Sequence, residues 1–120
     1  MHIINSRRIY SDAEPDDGYR VLVDRLWPRG ISKERAALGE WRKTIAPSDA
    51  LRQSYGHDPA LFGKFSSEYE SELDANPDAE LFAEECRVHL KKENVMLLYA
   101  AKDGEHSNAA VLLEWLTRRI

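Results

Sequence analysis

The segment NVMLLYAA, Asn94 to Ala101, is apolar from Val95 onward with no polar alternation. A strand with one wet face alternates apolar and polar side chains, because successive residues point to opposite faces. A short, wholly apolar run instead reads as a strand covered on both sides. That restricts the chain to a sheet with other layers packed above and below it, an α/β arrangement.

The remaining segments supply those layers. Ile3-Ile4 and Ile9-Tyr10 bracket a polar stretch and predict a first strand near residues 2–9. SDAEPDDG, Ser11 to Gly18, is a loop dense in turn formers. YRVLVD, Tyr19 to Asp24, is the second strand. The short link between these two favours an antiparallel pair, since a parallel return needs a longer crossover. Ser32 is a good helix N-cap, and Ala37, Leu38, Trp41 and Ile45 follow at helical spacing. Ala46-Pro47 interrupts, and Ser48 to Tyr55 reads as a short helix. Asp58-Pro59 and Asn76-Pro77 each place a cap before a proline at the first helical position. Leu61, Phe62, Phe65, Tyr69 and Leu73 line one face after the first signal; Phe82, Cys86 and Leu90 line one after the second. A last helix runs from about Ser107 to Arg119. The expected architecture is a single α/β domain over residues 1–120, with a small, largely parallel (mixed) sheet flanked by helices. Three strands are clear, which is few for this class and leaves room for an edge strand.

With 120 residues, 42% of them apolar, the chain buries a small core. Its net charge of −4 argues against a general nucleic-acid or membrane binder. The charge is uneven. Residues 1–43 hold nine Lys/Arg against seven Asp/Glu, a net +2, so the remainder carries −6 of the total −4. Cys86 is the lone cysteine, which excludes an intrachain disulfide and fits a reducing cytoplasm. MHIINSRRIY lacks the apolar core of a signal peptide, and no run approaches the length of a membrane span. The expected location is cytoplasmic.

In open α/β sheets, ligands collect beyond the carboxyl ends of parallel strands. Two such ends are readable: Asp24 to Gly30, which holds Arg25, Trp27 and Arg29, and Lys102 to Asn108. Each loop leads into a helix, whose first N–H groups and partial positive charge suit anions. Arg25 and Arg29 add planar, bidentate donors. The competing reading makes Arg25 a structural partner of Asp24 or Asp103, and Trp27 a lid on the core. His57 and His106 each lie at a helix start; with Asp58, Asp103 or Glu105 they form a candidate two-His, one-carboxylate centre for a divalent or iron-type metal. Either histidine also suits acid–base work near neutral pH. His89 and Cys86 read as structural, the latter as a core thiol.

DGYRVLVDRLWPRGISKERA, YGHDP and LLYAAKDGEHSNAAVLLEWL together resemble the domain-of-unknown-function family 488, in its YeaO-like branch. The resemblance runs from about Arg8 to Leu116. It covers Val23 to Gly30, His57 to Pro59, Tyr99 to Ala101, Asp103, His106 and Asn108. Members often carry arginine at the position of Lys102, so a bidentate guanidinium becomes a point-charge ammonium here. Members also often join the histidine and asparagine that Ser107 separates. The resemblance implies a compact cytoplasmic α/β domain with a shared polar site, and supplies no reaction.

Three functions compete at this stage. The first is a pocket for a small anionic molecule, phosphorylated or nucleotide-like. There Arg25, Trp27, Arg29, Lys102 and Asn108 bind, and His57, Asp103 and His106 act as catalytic or orienting groups. The second is the metal enzyme built on His57, His106 and a carboxylate such as Asp103. The third is a non-enzymatic partner- or RNA-binding module with the arginines as its contact patch. If the two loops share one sheet edge, Arg25 should lie close to the Lys102–Asn108 loop.

Overall fold

The computed structural model describes residues 2–120. Four strands form one sheet in the order β1-β4-β2-β3, with β1 Ile4–Arg8, β2 Tyr19–Leu22, β3 Glu40–Trp41 and β4 Val95–Tyr99. Every pairing is parallel. β4 is central, and it is buried at all five positions because both its faces are covered. Val95, Leu97 and Tyr99 pack with Val21 and Val23 against the larger helical layer. Met96 and Leu98 pack with Leu22, Ile9, Ile31 and Ala36 on the other side. The absence of polar alternation in β4 is thus a direct record of its two covered faces.

The larger layer holds α2 (Asp49–Tyr55), α3 (Phe62–Asp74), α4 (Pro77–His89) and α5 (Asn108–Thr117). Side chains cap the starts of α2, α4 and α5, at Asn76 as the sequence signal expects. Oxygens of the Ser48, Asn76 and Ser107 side chains accept from Leu51 N, Asp78 N and Ala110 N. Asp58-Pro59 opens a 3-10 turn that runs directly into α3. Phe65, Tyr69 and Leu73 form the buried face of α3, and Tyr69 donates its hydroxyl to Ile45 O at 2.6 Å. No described helix is long and apolar enough to cross a membrane.

Two sequence expectations are corrected. β1 and β2 are not an antiparallel pair: each pairs in parallel with β4, which lies between them. The chain therefore crosses the width of β4, about 10 Å between the outer two strands, and returns through the Ser11–Gly18 loop without a helix. Asp17 makes that return stable. It is buried, its carboxylate is 2.6 Å from both Arg7 and Arg20, and it accepts from Glu14 N at 3.0 Å. One buried anion thus joins the loop to both strands. Burial alone would raise the Asp17 carboxyl, but the Glu14 backbone and the two guanidiniums hold it below its usual range.

The second correction concerns the helix expected from Ser32 through Ile45. Ser32 does cap a helix, accepting from Arg35 N, but α1 (Lys33–Ala36) is a single turn. Ala37 adopts a left-handed conformation at φ 48° and ends it. Arg20 seals that end by donating Nε and Nη2 to Ala36 O at 3.1 and 2.9 Å. Gly39 then lies flat against the Tyr19 ring, where a Cβ would come within 2.4 Å. The chain emerges extended as β3, pairing Val21 with Glu40 and Leu22 with Trp41. Trp41 and Ile45 consequently enter opposite layers. Arg42 locks the edge, with its guanidinium 2.8 Å from Asp78, 2.7 Å from Glu85 and 3.1 Å from Glu40.

Gly18 sits at φ 77°, and a Cβ there would lie 2.0 Å from Asn94 O. Gly18→Ala should therefore cost about 3 kcal/mol, read as a lower urea midpoint at unchanged slope. Asp17 gives an acid signature. Its depressed pKa stabilises the fold above the unfolded carboxylate value of about 4, and that contribution is lost as pH falls through the folded value. Asp17→Asn should be less stable than the wild type at pH 7. The gap in urea midpoint should shrink as the pH drops below about 4.

Candidate functional site

All four strands run the same way, so the carboxyl ends of β1, β2 and β4 open on one edge. A pocket of about 760 Å³ lies there. Val23 N donates to Leu98 O at 3.0 Å and Ile9 N to Tyr99 O at 2.8 Å, so the pairing continues to the pocket floor. Beyond it the Asp24–Gly30 loop and the Lys102–Asn108 loop meet. Asp24 is the junction. One carboxylate oxygen accepts from Ala100 N at 2.9 Å and the other from Asn108 Nδ2 at 3.1 Å. Asn108 Nδ2 also reaches Val23 O at 3.3 Å. Burial raises the Asp24 carboxyl above its usual pKa, partly offset by the Ala100 N–H and the Asn108 amide.

Arg25, Trp27, Arg29, Lys102, Asp103, His57, His106 and Asn108 all line this pocket. Their states differ. Arg25 donates Nε to Pro47 O and Nη2 to Ala46 O, both at 3.2 Å, and so holds the wall before α2. Those carbonyls take the bracing role that Asp24 or Asp103 had in the structural reading. Arg29 and Lys102 are exposed and make no side-chain hydrogen bond or ion pair among the described residues. Trp27 donates Nε1 to Ile31 O at 2.7 Å and meets Trp41 edge-on, with centroids 5.4 Å apart. It therefore bridges pocket and core.

His106 Nδ1 lies 2.6 Å from Asp103 Oδ2, an arrangement that leaves Nε2 as the ring's other polar atom. The hydrogen bond to His106 holds the Asp103 carboxyl below its usual range. Tyr55 donates to His106 O at 2.6 Å, and the His106 ring stands edge-on to Phe62 at 5.0 Å. His57 follows Gly56, and both adopt left-handed backbone, φ 59° and 55°. The two histidines do not form a metal set with a carboxylate: among the described residues the one group with three ligand atoms within 4.8 Å of one another is Glu14, Asp16 and Asp17.

Several lining residues lay outside the sequence reading. Arg8, at the end of β1, donates Nε to Ala100 O and Ala101 O and lies 4.6 Å above the Tyr10 ring. Tyr10 in turn donates to Arg29 O at 2.8 Å. Arg52 of α2 adds a further cation, and Tyr55 and Phe65 form part of an apolar wall. A parallel β1 was the signal that would have placed Arg8 and Tyr10 here.

Fold and pocket define a small parallel α/β protein with a largely apolar cavity, lined by several charged side chains, at the carboxyl edge of its sheet. The chain belongs to the DUF488 family: residues 3–120 match the model described as the inactive DUF488-N3 subclade. It is similar to the uncharacterized protein YeaO of Escherichia coli, at 42% identity over 94% of this chain and 96% of that protein. Uncharacterized proteins of Mycobacterium bovis and Mycobacterium tuberculosis are each 43% identical, over 93% of this chain and 92% of theirs. No solved structure matches the chain.

A left-handed histidine costs about 1–2 kcal/mol relative to glycine. His57→Gly should therefore leave the melting temperature unchanged or raise it, checked by thermal denaturation. A large fall would show that the imidazole braces the loop.

Proposed function

We propose that this protein binds a small anionic molecule, phosphorylated or nucleotide-like, in the pocket at the carboxyl edge of its sheet. The observation that carries the reading is the gathering of cations there. Arg8, Arg25, Arg29, Arg52 and Lys102 line the pocket against two acids, Asp24 and Asp103, on a chain whose net charge is −4. Five cations around a largely apolar cavity favour an anion, and a non-polar wall strengthens each charge–charge interaction. The start of α5 adds to this, since Ser107 and Asn108 line the pocket beside the helix's positive end. Arg29 and Lys102 are free to close on a ligand, while Arg8 and Arg25 set the shape of its walls. His57 and His106 serve as hydrogen-bonding or orienting groups. Membership of the inactive DUF488-N3 subclade weighs toward binding over turnover.

The Asp103–His106 pair favours a second reading, in which His106 moves a proton while Asp103 holds its ring. Turnover of a phosphoester that disappears in His106→Ala, with binding retained, would establish it. A cytoplasmic location belongs to the same proposal, as Cys86 is a buried free thiol.

Calorimetric titration with inorganic phosphate and nucleoside monophosphates tests the binding. Arg29→Ala should weaken it several-fold and leave stability within about 0.5 kcal/mol, as for other exposed positions. Binding should also weaken as ionic strength rises. A wild-type protein that takes up none of these anions refutes the reading.

A further inference from the structure

Asp24 stands apart from the rest of the pocket. It is a half-buried carboxylate in a cavity ringed by five cations, yet it makes no ion pair. Burying an unpaired charge is costly unless hydrogen bonds compensate, and Asp24 has two neutral ones, from Ala100 N and Asn108 Nδ2. They fall on different oxygens. A carboxylate offers about four acceptor positions, two per oxygen. Each Asp24 oxygen therefore keeps one acceptor position beyond its bond to the protein.

We infer that Asp24 is the specificity-determining residue of this pocket and takes a ligand group presenting two parallel N–H donors, as the edge of a guanine does. The inference rests on the anion-binding reading above and deepens it. The ligand is amphoteric, with its donor edge on Asp24 and its phosphate toward Arg29 and Lys102. Guanine carries a ring N–H beside an exocyclic amino group, which is the paired arrangement a carboxylate matches with both oxygens. Adenine and cytosine place an acceptor beside the amino group and would set a lone pair against the carboxylate. Trp27 lines the same pocket and offers an aromatic face to it. The volume of about 760 Å³ accommodates a nucleotide, as small-molecule sites span roughly 300–1,000 Å³.

The test compares ligands on the wild-type protein, so it does not depend on a variant folding. Guanosine monophosphate, inosine monophosphate and ribose 5-phosphate are titrated calorimetrically. Inosine keeps the ring N–H and lacks the amino group; the sugar phosphate lacks both. Sites that hydrogen-bond a substrate group discriminate strongly against its absence. Guanosine monophosphate should bind at least tenfold more tightly than either of the others. Asp24→Asn, checked for folding by its melting temperature, should bring the ratio of guanosine to inosine monophosphate affinity down to about one. If all three ligands bind the wild type alike, Asp24 does not read a donor pair, and the inference falls while the anion site stands. If none of the three binds, inference and anion reading fall together.

Discussion

The hydrogen bonding of β4 to β1 on one side and β2 on the other, always in the same direction, governs this structure. A parallel ladder sends every strand end to one edge, so the residues after β1, β2 and β4 converge whatever their separation in sequence. Arg8, Asp24 and Lys102 meet at one cavity for that reason. The same ladder needs cover on both faces, which α2 to α5 provide on one side and α1 with the Trp27 loop on the other. Architecture and site are thus consequences of a single pairing pattern.

Maintaining that pattern in a short chain requires ionic joints where longer proteins use helices. The Ser11–Gly18 return is held by Asp17 between Arg7 and Arg20. Arg20 also closes α1, which permits the turn into β3, and Arg42 fastens β3 to α4 through Asp78 and Glu85. These pairs are buried or half-buried, where removing one partner strands the other charge and costs far more than the pair itself contributes. At the opposite edge Arg25 donates to two backbone carbonyls and lies 3.8 Å from the exposed Asp49, so it has no buried countercharge.

Much of this was legible in the residues. The apolar run at β4 identified the central strand, and the cap signals at Asp58-Pro59 and Asn76-Pro77 located two helix starts, because capping depends on a few local atoms. The chain family was readable from the Asp24–Gly30 and Lys102–Asn108 segments. What failed depends on distant partners. Nothing local in residues 9–18 says that β4, more than seventy residues later, will insert between β1 and β2. Taking those two strands as antiparallel sent the end of β1 to the wrong edge and hid Arg8 and Tyr10 from the site. The helix expected through Trp41 failed similarly: its spacing was helical, but Arg20 and the Tyr19 ring favour a stop at Ala37 and a flat Gly39. Asp24 was visible in sequence only as a neighbour of Arg25, since its role follows from Ala100 and Asn108.

The two-residue strand β3 has a bearing on how the molecule behaves among its own copies. A sheet edge is a row of unpaired backbone groups that a strand of another chain can extend. Here that row ends almost where it begins. β3 spans Glu40–Trp41, and Arg42 and Lys43 follow it at once. At the far margin β1 reads Ile-Asn-Ser-Arg-Arg, a polar strand that finishes in two cations. An approaching strand finds little backbone on one border and a strand without apolar alternation on the other. The parallel sheet that builds the cavity is thereby kept from growing into a fibre.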